Sequence, residues 1–284
     1  MRNSSRKNFV DECHLHENQP LTMNTKLSQN WPIYLINLHD NTQRLQRSKA
    51  EFDRVGLRFE RIEGVNGWPL SPIRLQQAYD ATKCEQYGRH ALIPAEIGCY
   101  LSHIEAWRNI ANSPAPGGFV FEDDFSAKDW LPQVLLALSN DFGPWDIVKL
   151  FSLHEYPNTL MERHLDAQHK IVLPYKVPTC NTAYALRREA AIRLVQAAEP
   201  FFRAVDEDFK FYWEKKLRIG LVLPPPVGLG DQQASTGTIG DARREMQNKP
   251  SIKQSLKSIY YQINYKVNLT CNRLLEWTQD RLKV

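Results

Sequence analysis

Apolar and polar positions first settle into a regular pattern at Ile33–Leu38, IYLINL, a run of strand length closed by Asp40, Asn41 and Thr42, all residue types that cap helices. A helix is expected next, because Leu45, Phe52 and Val55 fall near one face and Gly56 is placed to end it. Leu57–Ile62 then predicts a second strand. Strand, helix and strand within about thirty residues form a βαβ unit, whose right-handed crossover makes the strands parallel. Further along, Pro94 suits the first turn of a helix reaching about Ala111, and Gly118–Phe121 reads as a compact buried strand ending in Glu122, Asp123 and Asp124. Ile147–Phe151 and Thr182–Leu186 predict strands, Arg187–Gln196 a helix, and Ile219–Leu223 a strand stopped by Pro224, Pro225 and Pro226. The expected class is therefore α/β, a Rossmann-like, mainly parallel sheet flanked by helices.

The two ends of the chain break this pattern. Residues 1–30 are polar without a sustained period and read as a tail, leaving 31–245 as the folded domain. In 246–284, Ile252, Leu256, Ile259, Ile263 and Val267 recur at helical spacing among Lys253, Lys257 and Lys266, predicting a basic amphipathic helical extension. Such a helix either packs on the domain and exposes its lysines, or lies against an anionic membrane surface.

Composition narrows the classes. With 42% hydrophobic and 24% charged residues, the 284-residue chain has the make-up of a soluble globular domain. No apolar run approaches the ~18 residues of a membrane span, and the start lacks a signal-peptide centre, so a cytoplasmic location is expected. Cys13, Cys84, Cys99, Cys180 and Cys271 include no CxxC pair, which points to reduced thiols and away from zinc or redox sites. The net charge of +4 is mild, and no nucleic-acid partner is expected.

The candidate chemistry starts at the acidic triplet. Side chains alternate along an extended segment, so Glu122 and Asp124 are expected to face one site while Asp123 points elsewhere. Carboxylate oxygens at a strand's carboxyl end suit Mg²⁺ or Mn²⁺, with substrate phosphates completing the shell. A solvated turn is the plainer alternative.

The order IYLINLHDNTQRLQRSKAEF, FERIEGVNG, LIPAEIGCYLSHIEAWRNI and GFVFEDDF resembles glycosyltransferase family 25, the lipopolysaccharide and lipooligosaccharide enzymes, over about Ile33 to Ile239. The resemblance implies a GT-A type fold, a UDP-sugar donor (often UDP-galactose) and a glycolipid or oligosaccharide acceptor. By that match Glu122, Asp123 and Asp124 are the acidic motif, with Asp124 on a divalent metal and Glu122 on the metal, its bound water or the donor ribose.

Within AEIGCYLSH, Ala95, Gly98, Cys99 and Ser102 form a small-residue stripe that another backbone can approach, with Ser102 placed among the donor-binding candidates. Glu96 and His103 share a second face, where they could meet the donor or hold the metal loop. A capping glutamate and a hydrogen-bonded core histidine are the alternatives. Arg44 and Arg47 could reach a diphosphate or simply line a solvated face. Thr182 and Tyr184 of NTAYAL match a family segment beside the site, and Gln232 and Ser235 of DQQASTGTIG resemble its closing motif. Asp206 best matches the downstream acid that would act as general base, with Asp208 next and a helix cap as the alternative. No histidine follows His169, whereas many GT-A enzymes take a late histidine metal ligand. A nucleotidyltransferase would also use acidic metal ligands, but LINLHDNTQRL has no glycine-rich phosphate loop. A catalytically silent saccharide-binding member is the remaining alternative.

Overall fold

The computed structural model describes residues 31–153, 157–230 and 252–281. The predicted βαβ unit opens it: β1 (Ile33–Leu38), α1 (Thr42–Arg54) and β2 (Glu60–Gly64), with β1 and β2 parallel. Asn41 caps α1 by accepting the Arg44 N–H. Strand β2 starts later than the sequence pattern implies, because Leu57 serves to end α1. Gly56, at φ +70°, and Leu57 donate their N–H groups to Asp53 O and Phe52 O, closing the helix as a Schellman motif.

Two short helices, α2 (Pro72–Ala78) and α3 (Ala81–Tyr87), lead to the long α4 (Pro94–Asn112). Then come β3 (Gly117–Glu122), β4 (Phe125–Ala127), α5 (Leu131–Ser139), β5 (Ile147–Lys149), β6 (Thr159–His164), β7 (Lys170–Pro174) and β8 (Ala183–Arg187). The chain continues through α6 (Arg188–Gln196), α7 (Val205–Lys210), β9 (Ile219–Leu223), β10 (Val227–Leu229) and α8 (Ile252–Arg281). Eight strands form one sheet in the order β2-β1-β3-β8-β5-β9-β7-β6, while β4 and β10 pair apart as a short ribbon. The parallel and antiparallel pairings set six strands in one direction, with β7 and β8 reversed. This is the expected α/β, GT-A-like architecture with helices on both faces.

Alternation in β3 distributes the core. Val120 faces the layer containing α4, α6 and α8, whereas Phe119 and Phe121 face the layer of α1 and α5. The extension forms the 30-residue α8, but its packed face differs from the apolar stripe read in the sequence. Tyr261, Tyr265, Leu269 and Arg273 are buried against the domain, while Leu256, Ile259, Ile263 and Val267 are exposed. Ring contacts of Phe211 with Tyr261 and Tyr265, and Arg273 donating to Pro174 O and Tyr175 O, fix the packed side.

Candidate active site

The carboxyl ends of β1, β2 and β3 lie side by side, as their parallel pairing requires. A cleft of about 560 Å³ opens at the ends of β1 and β2, lined by Leu38, His39, Asn41, Glu63, Val65 and Asn66. The acidic triplet is not part of that lining; Asn37 links the two, its Nδ2 donating to Asn41 O at 3.0 Å and to Asp123 Oδ2 at 2.6 Å.

The triplet divides between the two faces of the sheet. Glu122, still within β3, points to the α4 side, where His103 Nε2 lies 3.0 Å from its Oε1. Asp123 points to the α1 side, held by Asn37 and by Arg44 Nη2 at 3.1 Å, and its main-chain oxygen accepts from Ser48 Oγ. Asp124 follows the end of the strand and turns back toward the same arginine, at 3.4 Å. Alternation thus separates Glu122 from Asp123 as expected, but Arg44 joins Asp123 to Asp124. Arg44 is largely buried between them and not on a solvated face, whereas Arg47 is exposed. Carboxylate oxygens are the donors that Mg²⁺ or Mn²⁺ takes, but the three do not gather at one point: Asp124 sides with Asp123 at Arg44, not with Glu122 as the alternation predicted, and Glu122 gathers with Cys99 and His103.

Behind Glu122 runs a buried polar relay. Trp107 Nε1 donates to Tyr184 OH at 2.8 Å, and Tyr184 OH lies 2.9 Å from His103 Nδ1. His103 thus has Tyr184 OH at one ring nitrogen and Glu122 at the other, and each member of the chain has a partner. Burial alone would raise the Glu122 pKa. The His103 hydrogen bond and the charges of His103, Lys149 and Arg44 outweigh it and hold the carboxyl below its usual range. Asp123 goes the other way, because its burial exceeds the help of Arg44 and Asn37.

The small-residue stripe of α4 does what its spacing suggested. A Cβ on Gly98 would lie 2.3 Å from Val65 O and 2.6 Å from Gly67 N, so this helix admits the loop after β2 only because residue 98 lacks a side chain. Ser102 Oγ accepts the Val65 N–H and donates to Gly98 O, both at 2.8 Å, which fixes one wall of the cleft. Glu96 is the capping residue of α4: its Oε2 accepts the Ile93 N–H at 3.0 Å. Cys99 Sγ, His103 and Glu122 offer ligand atoms within 4.8 Å of one another, so a sulphur, a nitrogen and an oxygen donor meet behind the triplet. Thr182 is buried, and its main-chain oxygen accepts the Glu122 N–H at 2.9 Å, which ties the triplet to the start of β8.

The second acidic cluster sorts its members sharply. Asp208 is buried and engaged by Tyr100 OH at 2.6 Å, Arg203 Nη1 at 3.1 Å and Lys215 Nζ. Burial pushes its carboxyl up, but Lys215 and Arg203 pull it further down, and it stays a carboxylate locked in an ion network. That engagement argues against Asp208 as a general base. Asp206 is half-buried, accepts only the neighbouring Glu207 N–H at 2.8 Å, and makes no ion pair among the described residues. Gln232 and Ser235 lie outside the described residues.

One residue escaped the sequence reading. Lys149 is fully buried on β5, with Nζ donating to Cys180 O at 2.5 Å and to Asn181 Oδ1. Burial lowers its pKa to about 8 against the opposing fields of Asp206, Cys180 and Glu122, so this cation sits within electrostatic reach of both acidic clusters. The only signal was a lysine inside the apolar run Ile147–Phe151.

Comparison with known proteins shows the family. The sequence model described as glycosyltransferase family 25 (LPS biosynthesis protein) matches residues 30–208, more than half of the chain. A "Glycosyltransferase 25 family member" of Anopheles gambiae is 29% identical over 126 residues, 41% of this chain and 21% of the relative. "Procollagen galactosyltransferase 1-A" of Xenopus laevis is 26% identical over 126 residues, 42% of this chain and 20% of the relative. "Inactive glycosyltransferase 25 family member 3" of Mus musculus is 28% identical over 125 residues, 42% of this chain and 21% of the relative. The chain thus spans about a fifth of the length of these curated relatives. With a family match running through both acidic clusters, the chain belongs to glycosyltransferase family 25.

Proposed function

We propose that this glycosyltransferase moves a galactosyl unit from UDP-galactose to a saccharide carried on a lipid, with inversion at the anomeric carbon. The observation that supports the reading is the acidic triplet at the carboxyl end of β3, next to β1, at whose end and that of β2 the cleft of about 560 Å³ opens. The frog relative's name supports galactose, and the family's description supports a lipopolysaccharide-type acceptor.

A divalent ion held by Asp124 would supply positive charge against the departing diphosphate. The remaining roles belong to the chain itself. Tyr184 and His103 hold Glu122 in one orientation, while Asn37 and Arg44 hold the following turn. Asp206 takes the acceptor hydroxyl's proton on its carboxylate as that oxygen bonds to the anomeric carbon. The bond from that carbon to the diphosphate oxygen breaks with its electron pair, and UDP departs.

A panel of nucleotide sugars with Mn²⁺, read as nucleotide release, tests the reading. UDP-galactose should be the fastest donor, and EDTA should stop its turnover. Release fastest from a different donor would overturn the sugar assignment. The mouse relative's designation as inactive motivates a second reading, a silent saccharide-binding member, and absence of release from every donor by folded protein would favour it.

A further inference from the structure

We propose that α8 carries a docking face for an anionic lipid bilayer, on the side of the helix opposite its contact with the domain. This inference does not depend on which sugar is transferred. Tyr261, Tyr265, Leu269 and Arg273 recur every four residues and are all at most 6% exposed. On the other side Leu256, Ile259, Tyr260, Ile263, Val267 and Leu274 are each 55–66% exposed. Contiguous exposed apolar surface of this length marks an interaction site, since one packed face already anchors the helix. No described helix is long and apolar enough to cross a membrane, so the geometry is that of a helix lying in the interface.

The spacing of Leu256, Tyr260, Ile263, Val267 and Leu274 suits a second helix as well as a lipid surface, so charge is what selects the bilayer. Lys253, Lys257, Lys266, Arg273 and Arg281 oppose only Glu276 and Asp280 in the helix sequence, and Glu276 is paired with Arg273 on the packed side. Lys266 is exposed, and the Lys257 ammonium donates to Cys84 O, which anchors it without cancelling its charge. Apolar insertion combined with lysine attraction is the pair of forces that binds an amphipathic helix to anionic lipid.

The test is sedimentation of the full chain with vesicles of equal parts phosphatidylglycerol and phosphatidylcholine, against pure phosphatidylcholine. Wild type should co-sediment with the anionic vesicles and far less with the neutral ones. Ile263→Asp/Val267→Asp should lower the partition coefficient by about tenfold or more. Ile263→Ser/Val267→Ser, a milder change at exposed positions, should reduce it less and keep the wild-type circular dichroism spectrum. Failure of wild type to bind anionic vesicles, or equal binding by all three folded proteins, would overturn the proposal. So would a lipid-free dimer that the aspartate pair dissociates, since the face would then belong to a second copy. Equal binding to neutral vesicles would remove the charge argument and the anionic assignment with it.

Discussion

Glu122–Asp124 and Asp206–Asp208 are acidic triplets of similar composition, yet the structure uses them differently. In the first, neutralisation is partial and shared: one arginine spans Asp123 and Asp124, and one imidazole meets Glu122. In the second, it is concentrated on one residue. Asp208 takes Arg203, Lys215 and the Tyr100 hydroxyl, while Asp206 takes a backbone N–H. A run of carboxylates is therefore no unit of function. What decides a carboxylate's role is whether its counter-charges are already satisfied within the protein or have to come from a ligand.

The strongest test of that contrast is Asp124→Ala. If the first cluster is completed by a cation and the donor diphosphate, the variant should fold and its transfer should fall to background. Isothermal titration of UDP should show affinity rising steeply with Mn²⁺ in wild type and little in the variant, because metal and phosphates bind together. A folded variant with the wild-type manganese-dependent gain would sink the metal assignment.

Asp206→Asn comes next. Loss of a general base should lower kcat by about 10²–10⁴-fold with little change in UDP affinity. Unaltered kcat in steady-state assays would remove Asp206 from the mechanism and leave its helix with a structural role only.

Asp208→Asn should reverse that profile. It strands two cations in a buried site and should cost about 3 kcal/mol in denaturant unfolding while leaving most of kcat in the folded fraction. The sign with pH follows from the depressed carboxyl. Its stabilisation is fully present above the ordinary aspartate value of 3.8 and is lost as pH falls through the lower folded value, so only wild type should show this acid limb. A large kcat loss with wild-type stability would exchange the roles of the two aspartates.

Much of this was legible in the sequence because it rests on local rules. IYLINL, Asn41, Gly56 and the small-residue stripe at Gly98 gave the βαβ unit and the close approach of the loop after β2. Spacing also placed Glu96 and His103 on α4 and offered the local capping of Ile93 N–H by Glu96, but it could not choose between ligand and support for His103, because Tyr184 OH is a contact that only the fold supplies. The stripe on α8 was visible, yet which of its two faces would pack was not. Aromatic Tyr261 and Tyr265 won over aliphatic Ile259 and Ile263 because Phe211 and Trp213 lie on the domain beneath them. Asp206 and Asp208 looked alike for the same reason: Arg203, Lys215 and Tyr100 are brought to one of them by tertiary packing.

Lys149 gives the finest comparison, because it lies within the fields of both clusters. Its folded pKa of about 8 is below the ordinary 10.5, so folding disfavours its charged form. The resulting penalty is complete below the folded value and fades as pH rises from about 8 to 10.5, which means that this group alone makes stability increase across that window. Activity should respond in the opposite direction, since deprotonation removes a cation whose field acts on Glu122. Lys149→Met keeps an apolar stem but carries no charge. It should lower kcat/KM at pH 7 by about tenfold or less, the scale of one charge acting through an effective dielectric near 20. It should also flatten the loss of activity above pH 8 and abolish the rise in stability between 8 and 10.5. Guanidinium unfolding and kcat/KM with Mg²⁺, both followed across pH 6.5 to 10, read these effects separately. Identical alkaline behaviour in the two proteins would mean that another group titrates there and that the buried lysine serves only to hold Cys180 O and Asn181 in place.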